Sequence, residues 1–257
     1  MDARVGTKML DSCTILARPD DEERFPTSVC TDCAVRRDSL CGTLTDAELS
    51  RLHRLGRRRR LRRGEAFAWA GEESRGCANV LSGILKVSAL TADGREQIVG
   101  LLYPSDFVGQ PFVGSFEFTV TALGDAEICT FRKSDFEGFL STRNGMTQAL
   151  LCRTFDTLSD ARRRMLLLGR QSASERIADF LLQTFERIGG CSASSNGPVT
   201  FDLPLSRGAI ADVLGLTIET VSRQMTKLKV AGVIALPGGR AVTILKRDAL
   251  RRMTDAA

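Results

Sequence analysis

The spacing of apolar positions changes character along the chain, and each change marks an element. In TDAELSRLHRLG (residues 45–56) Leu49, Leu52 and Leu55 fall on one stripe, and Thr45 with Glu48 three positions on forms a capping box. A short helix is expected there. From about Gly64 to Phe131 the pattern becomes short runs of Val, Ile, Leu and Phe punctuated by glycines, which predicts an all-β barrel or roll. Within it, Asp93-Gly94 between SALTA and REQIVGLL predicts a type I′ hairpin turn, in which both central residues take positive φ. SDFE at 134–137 reads as a second capping box that ends the strands and opens a helix. From Met146 to Leu168 the residues Leu151, Thr154, Leu158, Ala161, Met165 and Leu168 alternate in steps of three and four. That is a heptad seam, with small Thr154 and Ala161 admitting close approach of another surface, either a second copy of the helix or the chain's own barrel. Gly169 is expected to end the run.

The last third begins with SASERIADFLLQTFERI, whose Ile177, Phe180, Leu181, Thr184 and Ile188 form one face, followed by the loop GGCSASSNGP. Then LSRGAIADVLGLTIETVSRQMTKLKVAGVIALPGGRAVTIL reads as a helix, a tight turn through Gly215, a second helix opened by Thr217, and two β runs around LPGGR. This is the order of a winged helix-turn-helix. In the second helix, Ile218 to Val230, Val221, Met225 and Leu228 share the core side, while Glu219, Ser222, Arg223, Thr226 and Lys227 share the other. A plain solvated face would also be polar, but the turn glycine, the cap and the wing occur together. Arg223 can pair bidentately with guanine, Glu219 can accept from cytosine N4 and Ser222 can bond several base edges. Ser206 and Lys227 are better placed for phosphates.

Charge and cysteine content then narrow the class. The net charge of +5 permits a polyanionic partner without requiring one. Eight arginines between Arg51 and Arg63 are either a phosphate patch or a solvated face, and their distance from the helix-turn-helix favours the solvated face. Residues 1–28 carry mixed charge without a period and read as a mobile tail. No apolar run approaches the roughly 18 residues that cross a bilayer, and the N-terminus lacks the pattern of a secretory signal, so a cytoplasmic protein without a membrane partner is expected. In that reducing compartment the eight cysteines are not a disulfide framework. VCTDCAVRRDSLCG packs Cys30, Cys33 and Cys41 closely enough to serve as metal ligands or redox thiols. An enzyme is not expected: there is no C-x3-C-x2-C motif, no GxGxxG loop, and the lone His53 offers no partner for a nucleophilic cysteine.

ETVSR at 219–223, preceded by ADVLGLT and followed by a glycine-containing turn, resembles the recognition element of the CRP/FNR transcription regulators. The order of barrel, long helix and winged helix-turn-helix resembles the same family over most of residues 45–250. The resemblance implies an α+β fold: an N-terminal tail and cysteine cluster (1–44), a cyclic-nucleotide-binding-like β-barrel of the double-stranded β-helix type (45–143), a dimerisation helix (144–170) and a winged helix-turn-helix (171–257). It also implies a homodimer through the heptad seam, double-stranded DNA with a palindromic TTGAT-like target read by Glu219, Ser222 and Arg223, and RNA polymerase as a partner. In members that bind a cyclic nucleotide an Arg-Ser/Thr pair holds the phosphate. Phe116 and Glu117 stand there in this chain, so no cyclic nucleotide is expected.

Oxygen-sensing FNR-type members resemble this chain more closely, with three N-terminal cysteines and one distal cysteine on the last barrel strand. Cys129 in DAEICTF stands at that position, and the quartet Cys30, Cys33, Cys41 and Cys129 would ligate a [4Fe-4S] cluster. The C-x2-C-x7-C spacing resembles α-proteobacterial members rather than the enterobacterial C-x2-C-x5-C. Four thiolates leave such a cluster with a charge of about −2, which Arg36 and Arg37 could offset. Zinc on the same thiolates is the alternative, as is thiol redox sensing; Cys13 is the rival ligand. Cys77, Cys152 and Cys191 read as structural or incidental. His53 reads as a surface side chain, not a haem ligand.

Overall fold

The computed structural model describes residues 28–188 and 197–254; the expected tail, Cys13, Cys191 and most of the GGCSASSNGP loop lie outside the described residues. A short helix α1 (Ser28–Thr31) and a 3-10 turn (Leu40–Thr43) precede helix α2 (Asp46–His53). The capping box is present: the Thr45 hydroxyl oxygen accepts from the Glu48 N–H, and the Glu48 carboxylate accepts from the Thr45 N–H at 3.0 Å. Leu49 and Leu52 are buried by α2, as the stripe predicted.

Eight strands follow, β1 (Gly56–Leu61), β2 (Ala66–Ala68), β3 (Gly76–Ser82), β4 (Leu85–Leu90), β5 (Glu96–Leu102), β6 (Phe107–Val108), β7 (Thr119–Ala122) and β8 (Ala126–Arg132). They form two antiparallel four-stranded sheets, ordered β1-β8-β3-β6 and β2-β7-β4-β5. The sheets enclose Leu61, Val80, Leu85, Val108, Val120 and Ile128 as a jelly-roll-like sandwich, not as the closed barrel expected. The β region also begins at Gly56, eight residues earlier than the glycine pattern indicated. Arg57–Arg60 belong to edge strand β1, where an outer strand tolerates charge. Arg58 pairs with Glu127 at 3.6 Å and Arg59 with Glu65 at 2.9 Å, so this part of the arginine run is a strand in which Arg58 and Arg59 are half-buried and Arg57 and Arg60 exposed.

Two local expectations fail for identifiable reasons. The β4–β5 hairpin forms, but only Gly94 has positive φ, and Thr91 N–H bonds to Arg95 O; the loop is a turn ending in a left-handed glycine, not type I′. The predicted capping box at 134–137 is absent. Helix α3 (Lys133–Leu140) starts two residues earlier with no side-chain cap, because Lys133 N–H bonds to Arg75 O and the Glu137 carboxylate accepts from Phe112 N–H at 2.6 Å.

Helix α4 (Asn144–Arg170) runs through Gly169 and stops one residue later. There the Arg176 guanidinium donates to Leu168 O, Gln171 O and Leu214 O, tying the end of α4 to the C-terminal domain. The seam is bare within the single chain: Leu151 is 54% and Met165 72% exposed, and Phe155 and Leu166 enlarge the apolar stripe beyond the predicted positions. Helix α5 (Ala173–Ile188) buries Ile177, Phe180, Leu181 and Thr184, while Ile188 stays exposed. Strand β9 (Val199–Asp202), helices α6 (Arg207–Leu214) and α7 (Ile218–Val230), strands β10 (Ile234–Gly238) and β11 (Ala241–Ile244), and helix α8 (Arg247–Thr254) complete the chain. The wing is a β10-β11-β9 sheet; β9 and α8 were not anticipated. Ile98 of β5 inserts into the core of this domain, and the Gln97 amide donates to Asp212 O of α6.

Candidate functional site

The thiols come together from two directions. Cys30 lies on α1 and Cys33 just after it, while Cys41 sits in the 3-10 turn, its N–H donating to Ser39 Oγ. Cys129 reaches them from β8. All four line one cavity of about 50 Å³, together with Arg36, His53, Arg58 and Asn79. Among the described residues no group of three or more His, Cys, Asp or Glu is placed to hold a metal ion; the four cysteines line the same cavity. An all-thiol donor set around a space is what a multi-atom iron-sulfur cluster requires, and in that respect the residues fit one.

Burial dominates the electrostatics here. It pushes the Cys41 thiol up to about 11, an effect that the hydrogen bond to Ser39 only partly offsets. Burial, then the other thiols, raise Cys129 as well. Cys30 is raised by burial and by Cys33, against the opposing pull of Arg58 and Arg36. Proton loss from such sulfurs therefore needs a bound cation to favour it.

Three features of the site were missed or misplaced. His53 is not a surface residue: it is half-buried, with Nδ1 3.1 Å from Cys30 Sγ, because α2 turns its last residue toward α1. Of the two arginines expected to offset the cluster charge, Arg36 lines the cavity and pairs with Asp46 at 2.7 Å, but Arg37 is exposed and Arg58 takes its place. Asn79, on β3, is a buried neighbour that no motif signalled. At Gly56 an added Cβ would lie 2.8 Å from the Phe131 ring and 3.2 Å from Cys129 Sγ, so the turn from α2 into β1 has room only for hydrogen. Among the remaining cysteines, Cys77 is buried beside Phe131 and Phe136, and Cys152 is exposed on α4.

The second candidate surface is α7. Ser206 caps α6 by accepting from Ala209 N–H, Gly215 ends α6 with φ of 61°, and Thr217 caps α7 by accepting from Thr220 N–H. Val221, Met225 and Leu228 are buried beneath it. Glu219, Ser222, Arg223, Thr226 and Lys227 are all exposed on the other side. Glu219's own backbone N–H and the Thr217 hydroxyl hold its carboxyl below the ordinary range, leaving a charged acceptor at the helix start. Phe116, at the position where a phosphate-binding pair would stand, is buried edge-to-face against Phe67, and Glu117 beside it is exposed. No helix among the described residues is long and apolar enough to cross a membrane.

Comparison with known proteins places these two surfaces in context. Residues 175–253 match the Crp-like helix-turn-helix domain and residues 58–143 the cyclic nucleotide-binding domain. The chain is 43% identical to the transcriptional activator protein FnrL of Cereibacter sphaeroides, over 84% of this chain and 87% of that protein. It is 41% identical to the nitrogen fixation regulation protein FixK of Bradyrhizobium diazoefficiens, over 82% of this chain and 87% of that one. The solved structure of FixK2 from Bradyrhizobium japonicum superposes with a TM-score of 0.72 at 30% identity, covering 79% of this chain and 98% of that one. With an exposed reading helix on a winged domain and relatives that are regulators along most of its length, the chain belongs to the CRP/FNR family and is a DNA-binding transcription regulator, not an enzyme.

Proposed function

We propose that this regulator senses oxygen through a [4Fe-4S] cluster held by Cys30, Cys33, Cys41 and Cys129, and binds TTGAT-type palindromes as a homodimer when oxygen is scarce. The observation that carries the reading is the shared cavity: thiols from the N-terminal segment and from β8 face one space. When bound, the cluster supplies an oxidisable centre; the chain supplies everything else. Cys30, Cys33 and Cys41 tie the N-terminal segment to the sandwich, and that segment packs on α4. Leu40 is buried with Met146, half-buried Leu150 packs against them, and the Arg153 guanidinium donates to Asp38 O and Ser105 O. Freeing the cysteines removes that support from the first turns of α4, whose Leu151, Thr154, Leu158, Ala161, Met165 and Leu168 would face the second copy. A switch from 1:99 to 99:1 needs about 5.5 kcal/mol, within reach of a tether that orders one helix surface.

In the dimer each α7 enters one half-site, with Glu219, Ser222 and Arg223 on base edges and Ser206 and Lys227 on phosphates. The buried Phe116 and the acidic Glu117 beside it support a sensor without cyclic nucleotide. The protein would act in the cytoplasm, with RNA polymerase as its partner at the promoter. Anaerobically purified protein is expected to carry iron and acid-labile sulfide, and to shift a TTGAT palindrome only without air. Stoichiometric zinc with no sulfide, or oxygen-insensitive binding, would overturn the reading.

A further inference from the structure

Cys129 does not stand alone on its sheet. In the register of the β1-β8-β3 ladder, Arg58 lies directly across from it on one side and Asn79 on the other. Directly opposed residues project to the same face, so Arg58, Cys129 and Asn79 form a row aimed at the N-terminal thiols. Asn79 is only 3% exposed, its Nδ2 donates to Cys41 Sγ at 3.6 Å, and its Oδ1 has no partner among the described residues. A buried amide with an unmatched carbonyl is destabilising on packing grounds, so its retention needs another account. On the far side of the cavity His53 Nδ1 lies 3.1 Å from Cys30 Sγ.

We propose that Asn79 and His53, with Arg58, are positioning residues of the thiolate site: they give N–H donors and positive charge to the sulfurs of Cys41, Cys30 and Cys129. The inference rests on the reading of the four cysteines as cluster ligands. A ligating sulfur has no proton, so it accepts only, and the amide NH2 and the ring N–H are the groups able to serve it. Donors to the sulfurs favour the more electron-rich state of the site and fix the direction from which each sulfur approaches. Removing them is therefore expected to lower the reduction potential, speed loss of visible absorption in air and weaken iron retention by about 10-fold or more.

The test uses the full chain, purified anaerobically, as wild type, Asn79→Leu, His53→Leu and His53→Asn. Each is followed by iron and sulfide content, visible absorption and circular dichroism, bleaching rate at fixed oxygen, and the melting point of the metal-free protein. Asn79→Leu keeps the shape without the donor, and should melt no lower than wild type yet show shifted spectra and faster bleaching. His53→Leu should do the same, with His53→Asn, which restores a donor near Nδ1, recovering much of the wild-type behaviour. If Asn79→Leu melts much lower, the His53 pair decides alone. Wild type with a cluster, and variants matching it in spectrum and bleaching, would overturn this inference while the proposed function stands. Wild type without iron or sulfide would overturn both.

Discussion

The helix-turn-helix and the thiol site are built in opposite ways. In the former, chemistry and scaffold lie on one continuous stretch: Ser206, Gly215 and Thr217 set the helix ends, and the exposed and buried faces of α7 follow from its period. In the latter, α1, the 3-10 turn, α2, β1, β3 and β8 each contribute at most three groups to a cavity that no single segment encloses. The contrast shows what each site tolerates. A local site can lose a contact residue and keep its shape, whereas a site assembled across a ladder depends on register, and a shift of β8 by one residue turns Cys129 away from Arg58 and Asn79.

Substitutions can break or sharpen that contrast. The largest effect is expected from Cys129→Ser, which removes the ligand proposed on β8: if the proposed cluster is held there, iron and sulfide retention should be lost, with the melting of the DNA-reading domain unchanged. Met225→Ala is next. Truncating this buried side chain beneath α7 should cost about 2–5 kcal/mol in denaturant unfolding, because the site refills only partly, and should leave the visible spectrum intact. Arg223→Ala is expected to weaken cognate DNA binding by about 1–3 kcal/mol in titrations at fixed salt, with no change in melting, since its side chain is exposed. The smallest is Thr217→Ala, which removes the α7 cap and should destabilise the domain by about 1 kcal/mol in thermal unfolding. If Arg223→Ala instead lowered stability as much as Met225→Ala, or Met225→Ala bleached the proposed cluster, the two sites would not be separable in this way.

The same contrast explains what could be read from sequence. Thr45, Gly215 and Thr217 act on backbone groups within a few residues, so their meaning is local, and the buried faces of α2 and α7 follow from spacing alone. The four cysteines could be grouped only through a motif and a resemblance, since nothing local places Cys129 in the same cavity as Cys41. His53 was misread because its helix stripe counts only apolar residues, and the side that α2 turns toward α1 depends on packing. Asn79 carries no signal at all: in GCANVLS it is one polar residue in a strand, and its role comes from the β3–β8 register. Strand β1 was concealed by arginine, which an edge strand accepts because its long stem packs while its charge finds Glu127 or Glu65. The expected cap of α3 failed because tertiary partners, Arg75 O and Phe112 N–H, outcompeted a local pair.

The bare stripe of α4 bears on how long the protein lasts. Leu151, Phe155, Leu158, Met165 and Leu166 give an unpaired chain a contiguous apolar surface along one helix, the kind of patch that drives non-specific association. If the proposed dimer pairs through this stripe, a copy separated from its partner would be exposed to aggregation and to proteolytic clearance, and its abundance would fall along with its occupancy of DNA. Loss of pairing would then act twice, at once through binding and more slowly through turnover of the chain.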